Sequence, residues 1–310
     1  MGLTIRTSTL DMPPHAEKLP KFDLSISLLS FNTKPLLDRC LNSIYRNTHH
    51  LSFEILLVDN ASHDGTPEMV RRKYPKVKLI SNPKNHFFVK GHNQNLRRVS
   101  GRYFLVLNED IEISPGCFEQ MVLHLDEHPE IGLLSCRHVD KSGIADISCS
   151  RFPHPLCEMF ESSFLVKRLK PLIPSIEKKL ATYRYKGWKR DTIRSVDVIP
   201  GSFMMGRSEL LSKVGFFDES SFLFFYSEPD YCFRVRAVGY KVVHHGKISI
   251  LHLRSQAIAN LLPLTRYQLG EHDLLVYYRK YFGILWYFAL WLSLRPNWLY
   301  WQLRSWLHLP

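Results

Sequence analysis

Apolar and polar residues alternate with two periods along the first third of the chain. DLSISLLS (Asp23–Ser30) reads as a buried strand. Asn32 and Thr33 then precede Leu36, Leu37, Cys40, Leu41 and Ile44, which have the spacing of a helix with one apolar face. FEILLVD (Phe53–Asp59) predicts a second buried strand, and SHDGTPEMVRRKY predicts a turn and a helix with Pro67 in its first turn. VKLIS (Val77–Ser81) is a third strand, and a helix through His92–Val99 leads to a fourth, RYFLVLN (Arg102–Asn108). Buried strands alternating with helices predict an α/β fold with a mostly parallel sheet covered on both faces. Ligands of such sheets sit at the carboxyl ends of the strands. The polar residues at those ends, Ser30–Asn32, Asp59–Asn60 and Asn108–Asp110, are therefore expected on one rim.

Beyond Cys136 the pattern loosens. Between 167 and 194 the chain carries ten Lys or Arg residues against Glu177 and Asp191. VDVIPGSFMMGRSELLSKVGFFDE then returns to strand, turn and helix. In SEPDYCFRVRAVGYKVVHH, Pro229 suits the first helical position and Gly239 the C-terminal stop, after which KVVHH starts another strand. Near the end, YFGILWYFALWLSL is a run of fourteen uncharged, mostly apolar residues, followed by the Trp-rich NWLYWQLRSWLHL. The run is short of the roughly 20 residues needed to span a bilayer. Its Trp, Leu and Arg content points to a helix lying in a membrane interface, and packing of a helix pair on the core is the alternative.

The 310 residues suit one large domain or one domain with an appendage, and 45% apolar content supplies a substantial core. A formal charge of +12 implies an anionic partner. Nucleic acid is disfavoured, because the basic residues fall in no nucleic-acid-binding motif and carboxylates end the strands. The six cysteines form no CxxC pair, which predicts free thiols in a reducing compartment. The first twenty residues contain no apolar stretch of the kind a secretory signal needs, so none is expected.

Two acidic sites carry the candidate chemistry. Asn108-Glu109-Asp110 ends a buried strand, where a carboxylate costs desolvation unless a cation offsets it. Mg²⁺ or Mn²⁺ bridging to a diphosphate would do so. An acidic turn capping the next helix fits the spacing equally well. In FFYSEPDYCFRV, Glu228 and Asp230 are either first-turn acids favoured by the helix dipole or include a general base. In the second case the wall of Phe224, Phe225 and Tyr226 would raise the pKa of the base into a useful range.

Taken in order, SFNTKPLLDRCLNSI, LLVDNASHDGT, FLVLNEDIEISPG, GSFMMGRSELLSKVGFFDE and SEPDYCFRVRAVGYKV resemble the inverting glycosyltransferases of family two. The nearest likeness is to their rhamnosyltransferase-like and galactofuranosyltransferase-like bacterial branch, over roughly residues 22–255. The resemblance implies a GT-A fold, a dTDP- or UDP-sugar donor, a divalent metal, and a glycan or polyprenyl-diphosphate-linked acceptor. By position, Asp59 would read the pyrimidine base, and Ser30, Phe31, Asn32, Asn60 and Asn93 would line the nucleotide site. Asn108 and Glu109 would orient sugar or metal, and Asp110 and His252 would hold the metal. Glu228 stands at the position of the base, and Asp230 at that of a second acid, structural or acceptor-binding.

The implied layout is an N-terminal tail (1–21), a glycosyltransferase domain (22–255) with a basic insertion at about 140–195, and a helical appendage (256–310). The expected location is cytoplasmic, at the inner face of the cell membrane. The chain departs from the family pattern in three places. Ser227 replaces the acid before the base, and the base is Glu rather than Asp. In Asn85-His86-Phe87-Phe88, Phe87 stands where the family has Gly, and Asn95 stands where a second Gly is common. These departures keep a catalytically inactive membrane scaffold as the alternative function.

Overall fold

The computed structural model describes residues 19–253 and 261–307, so most of the expected tail (1–21) and the start of the appendage lie outside the described residues. The elements run β1 (Phe22–Ser30), α1 (Lys34–Asn47), β2 (Phe53–Asp59), α2 (Thr66–Lys73), β3 (Lys78–Ser81) and α3 (Phe87–Leu96). Next come β4 (Gly101–Leu107), β5 (Ile111–Glu112), α4 (Cys117–Glu127), β6 (Ile131–Val139), α5 (Pro155–Ser162), α6 (Phe164–Lys167) and α7 (Pro174–Tyr183). The chain continues through β7 (Ile193–Ser195), β8 (Phe203–Arg207), α8 (Leu210–Lys213), α9 (Ser227–Ala237) and β9 (Lys241–His252). Two long helices follow, α10 (Pro263–Phe282) and α11 (Ile284–Trp306).

The strands form one sheet in the order β3-β2-β1-β4-β8-β6-β9-β5, with β7 on β9. β1 is parallel to β2 and β4, β2 to β3, and β6 to β9, whereas β8, β5 and β7 run antiparallel to their neighbours. This is the GT-A architecture. β1 sits between β2 and β4, where consecutive strands leave to opposite sides, and there the sheet opens a crevice at its carboxyl ends.

Side chains alternate across the sheet, so each strand feeds two cores. On β4, Tyr103, Leu105 and Leu107 pack with α1, α2 and α4, while Phe104 and Val106 face α3, α9 and α10. On β1 the second face carries Ser25 and Ser27 beside Leu29. Ser27 Oγ lies 2.8 Å from His92 Nδ1 and accepts from Asn95 Nδ2 at 3.1 Å. These polar contacts pin α3 to the sheet, and the buried His92 ring is pushed down to about 3 by desolvation.

α3 begins at Phe87, earlier than the expected helix through His92–Val99, and ends at Leu96. Its start is set by Phe87, which is left-handed at φ 60° with its N–H donated to Asn85 Oδ1 at 2.7 Å. α9 also starts before Pro229, at Ser227, with Tyr226 left-handed ahead of it.

The expected division at residue 255 does not coincide with a break in packing. Leu274, Leu275, Tyr277 and Tyr278 of α10 and Leu290 and Leu294 of α11 belong to the second core. Each such side chain contributes roughly 1.5–3 kcal/mol by burial. Among the described residues no helix is long and apolar enough to cross a membrane.

Candidate active site

Three loops meet at the crevice, and short polar bonds join them. The loop after β1 donates Asn32 N–H to Ser62 Oγ (2.9 Å), and Asn32 Oδ1 accepts from His63 N–H (2.8 Å). Ser62 N–H in turn donates to Asp59 Oδ2 at 2.9 Å. Thr33 donates its hydroxyl to Glu109 Oε1 at 3.0 Å, tying β1 to the end of β4. The register places Ser30 beside Asp59 and Leu28 beside Leu107, so the strand-end residues do share one rim.

Over that rim lies a cavity of about 230 Å³. Ser30, Phe31, Asn60, Asn108, Glu109, Asp110 and His252 line it, and so do Glu228 and the rings of Phe87, Phe88, Phe224 and Phe225. Asn32, Asp59, Asn93 and Asp230 do not line the cavity. Asp59 is 1% exposed, yet its Oδ1 has no hydrogen-bond partner among the described residues, and burial raises its pKa. An acceptor atom held dry in this way suits an N–H of a ligand better than it suits the protein core.

Asn93 donates its amide to Phe217 O (2.9 Å) and Glu219 Oε2 (2.7 Å) and accepts from Phe217 N–H (3.1 Å), which braces α3 against the turn at 217–219. Asp230 is likewise occupied elsewhere. Two residues on from Glu228, it points to another side of α9. It is fully buried, bonded to Arg234 Nε (2.9 Å), Lys280 Nζ (2.6 Å) and the Tyr281 hydroxyl (2.7 Å). It anchors α10 on α9.

β5 pairs with β9 so that Ile111 lies beside His252. This brings Asp110 Oδ1 to 3.5 Å from His252 Nε2, while His252 Nδ1 lies 3.0 Å from Asp146 Oδ2. With Asp146 beside Nδ1, the His252 ring is held with Nε2 toward Asp110, a geometry that fits a metal-ligating histidine oriented by a carboxylate. Beside it, burial and the Asp110 charge push Glu109 up to about 7, against the Thr33 hydroxyl. Carboxylates crowded in this way fit a divalent cation with oxygen and imidazole ligands. His124, Glu127 and His128 also cluster within 4.8 Å of one another, but on the last turn of α4 at the opposite rim of the sheet.

Glu228 opens α9. Its Oε2 accepts from Ser227 Oγ at 3.3 Å, and desolvation raises its pKa above the usual carboxylate range. Gly201 makes the room: a Cβ there would lie 2.7 Å from Glu228 Oε1 and 2.8 Å from the Phe88 ring. The loop before α9 is held from α10. Asp273 accepts from the backbone N–H groups of Leu223, Phe224 and Phe225, at 3.0, 2.7 and 2.6 Å. Tyr226 donates its hydroxyl to the buried Glu158 of α5 at 2.7 Å.

The sequence reading passed over Asp146, Asp273, Glu158 and Gly201. The partners given above lie between 27 and 113 residues away, and no local spacing marks them. Phe87 does follow its sequence signal: its backbone takes the left-handed conformation that glycine favours, at a cost of about 1–3 kcal/mol for a bulky residue.

The chain is similar to N-acetylglucosaminyl-diphospho-decaprenol L-rhamnosyltransferase of Mycobacterium tuberculosis, 22% identical over 76% of this chain and 77% of that protein. It is also 22% identical to the low-salt glycan biosynthesis hexosyltransferase Agl10 of Haloferax volcanii, over 74% of this chain and 67% of the relative. The mannosyltransferase PcManGT of Pyrobaculum calidifontis, solved with GDP-Man and Mn²⁺, shares the fold with a TM-score of 0.52 at 15% identity, over 92% of this chain and 79% of that one. Residues 25–215, more than half of the chain, match glycosyl transferase family 2, and the chain is a glycosyltransferase of that family.

Proposed function

We propose that the protein transfers a hexose, rhamnose or a similar sugar, from a dTDP- or UDP-sugar to a glycan or polyprenyl-diphosphate-linked acceptor, with inversion at the anomeric carbon. The observation that carries this reading is that Glu228 and the Asp110–His252 pair line the same cavity. The loops after β1 and β2 would hold the nucleoside against Ser30, Phe31 and Asn60, and the Asp59 carboxylate would reach a base N–H only if these loops open around it. Asp110 and His252 would hold a divalent cation, oriented by Asp146, whose charge offsets that of the departing diphosphate.

Glu228 would take the proton from the acceptor hydroxyl as that oxygen attacks the anomeric carbon. Its raised pKa makes it a stronger base than an exposed carboxylate, and Gly201 and Phe88 fix where it points. Bound together against one rigid rim, donor and acceptor react as if in a single molecule. The acceptor class rests on the M. tuberculosis relative, whose name specifies a polyprenyl-diphosphate-linked sugar. The same reading places the protein at the inner face of the cell membrane, where nucleotide sugars are made, and six buried, unpaired cysteines agree with a reducing compartment.

The test is transfer from dTDP- and UDP-sugars to a diphosphate-linked acceptor by wild type and Glu228→Gln. Turnover by wild type, lost in the variant while donor binding persists, is expected. Donor binding without turnover by either protein would replace this reading with that of an inactive membrane scaffold.

A further inference from the structure

Two stretches far apart in sequence meet on the surface. α6 rests against the middle of α11. Ser163 Oγ donates to Ser293 O (2.6 Å), Phe164 N–H donates to Asn297 Oδ1 (2.9 Å), and Asn297 Nδ2 donates to Ser162 O (2.6 Å). The Phe164 ring meets Tyr300 edge-on with centroids 5.5 Å apart.

The inward face of α11 carries the buried Leu290, Leu294 and Asn297. Its outward stripe is Leu285, Phe288, Leu292, Leu299, Leu303 and Trp306, recurring three, four or seven residues apart. A helix covering a soluble domain turns polar residues outward. This one instead leaves Leu285 81%, Leu292 66% and Trp306 77% exposed. Beside it Leu165, Leu169 and Leu172 are exposed as well, Leu172 at 76%. Lys167, Arg168 and Lys170 stand among these leucines. No acid occurs between Glu161 and Glu177, and none follows Asp273.

We infer that the α6 segment and the outer face of α11 form one platform that docks on an anionic lipid bilayer. The leucines and tryptophans enter the headgroup boundary, and Lys167, Arg168 and Lys170 meet the negative headgroups. Charge decides between a bilayer and a second copy of the chain, because a second copy would bring this cationic, acid-free border against itself. The helix lies along the membrane plane, its exposed tryptophans at the depth that suits an indole ring.

Position gives the platform a purpose, in a step that rests on the glycosyl-transfer reading. α5 leads directly into α6, and Glu158 of α5 holds Tyr226, two residues before Glu228. A lipid-linked acceptor would therefore meet the Glu228 wall of the cavity while its chain stays in the bilayer.

The test is flotation with vesicles of phosphatidylcholine alone and of phosphatidylcholine mixed with phosphatidylglycerol. Wild type should float with the mixed vesicles and scarcely with the neutral ones. K167E/R168E/K170E, with α11 intact, should lower the partition coefficient at least about tenfold, since each cation contributes about 1 kcal/mol near such a surface. L285S/F288S/L292S should lower it comparably, and both variants should melt within a few degrees of wild type without vesicles. Failure of wild type to float, equal binding to neutral vesicles, or a neutral effect of the lysine–arginine variant would each overturn the platform. So would a stable dimer without vesicles that L285S/F288S/L292S dissociates. Nucleotide binding is measured separately: its absence in a protein that floats would sink the transfer reading and leave the platform standing.

Discussion

The two cores of the molecule are built differently. The first, beneath α1, α2 and α4, is mostly aliphatic and draws chiefly on the first half of the chain, with Phe203 and Met205 of β8 and Val243, Ile248 and Ile250 of β9 added. The second, beneath α3, α9 and α10, is rich in Phe and Tyr and is held by the buried acids Glu158, Asp230 and Asp273. Each of those acids joins segments 25 to 68 residues apart. In the proposed reading the first half presents its strand ends to a nucleotide and a cation, and the second holds Glu228 as the base in a region with no regular repeat. Polar anchors reaching across the chain hold that region in place, and they tie α10 to it.

The largest test of this division is Glu228→Gln. Losing a positioned base should lower transfer by about 10²–10⁴-fold and leave donor affinity unchanged. The pH–rate profile should show the same group. Burial raises the Glu228 pKa, so wild-type activity should rise with pH along a limb lying above the ordinary glutamate value. A limb at the ordinary glutamate value would move the base role elsewhere.

Asp230→Ala should show the opposite pattern. Removing this fully buried acid takes one partner from Arg234 and Lys280, and because Lys280 keeps Asp218 and both cations are partly exposed the change should cost about 1–3 kcal/mol in stability. The folded fraction, measured by chemical denaturation beside turnover per folded molecule, should keep its rate. A folded variant that no longer turns over would return Asp230 to the chemistry.

Smaller effects test the first half. Asp146→Ala should weaken Mn²⁺-dependent donor binding about 10–100-fold by freeing the His252 ring, without touching metal-independent binding. Equal loss with and without metal would mean that Asp146 only supports the fold. Phe87→Gly should be the mildest, stabilising by about 1 kcal/mol or less where relief of the left-handed strain outweighs lost ring contacts. A destabilisation well beyond that size would show that the ring holds up the cavity wall.

The comparison also explains what the sequence disclosed. Strands β1 to β4 and the gathering of Ser30, Asn60 and Asp110 on one rim follow from hydrophobic period and the rule for parallel sheets. Glu228 and His252 became legible only through an ordered set of motifs, because neither differs locally from a first-turn acid or a strand-end histidine. Asp230 carried the same motif signal as Glu228, and its bonds to Arg234, Lys280 and Tyr281 fit the structural one of its two expected roles. Motif position reports which segment is near a site, but the direction of a side chain depends on which distant partner claims it. Asp146 and Asp273 had no signal, since one follows a loop without period and the other sits in a helix that reads as an appendage. The start of α3 was missed because a phenylalanine in a glycine conformation breaks the helical period where the helix begins.

The central claim is that the cavity binds a nucleoside diphosphate through a cation held by Asp110 and His252. Calorimetric titration of the purified protein with UDP and dTDP, with and without Mn²⁺, tests it most directly. The account predicts that one nucleotide binds with Mn²⁺ and more than tenfold more weakly without it, a difference lost in Asp110→Ala. Failure of both nucleotides to bind in the presence of Mn²⁺ would contradict it.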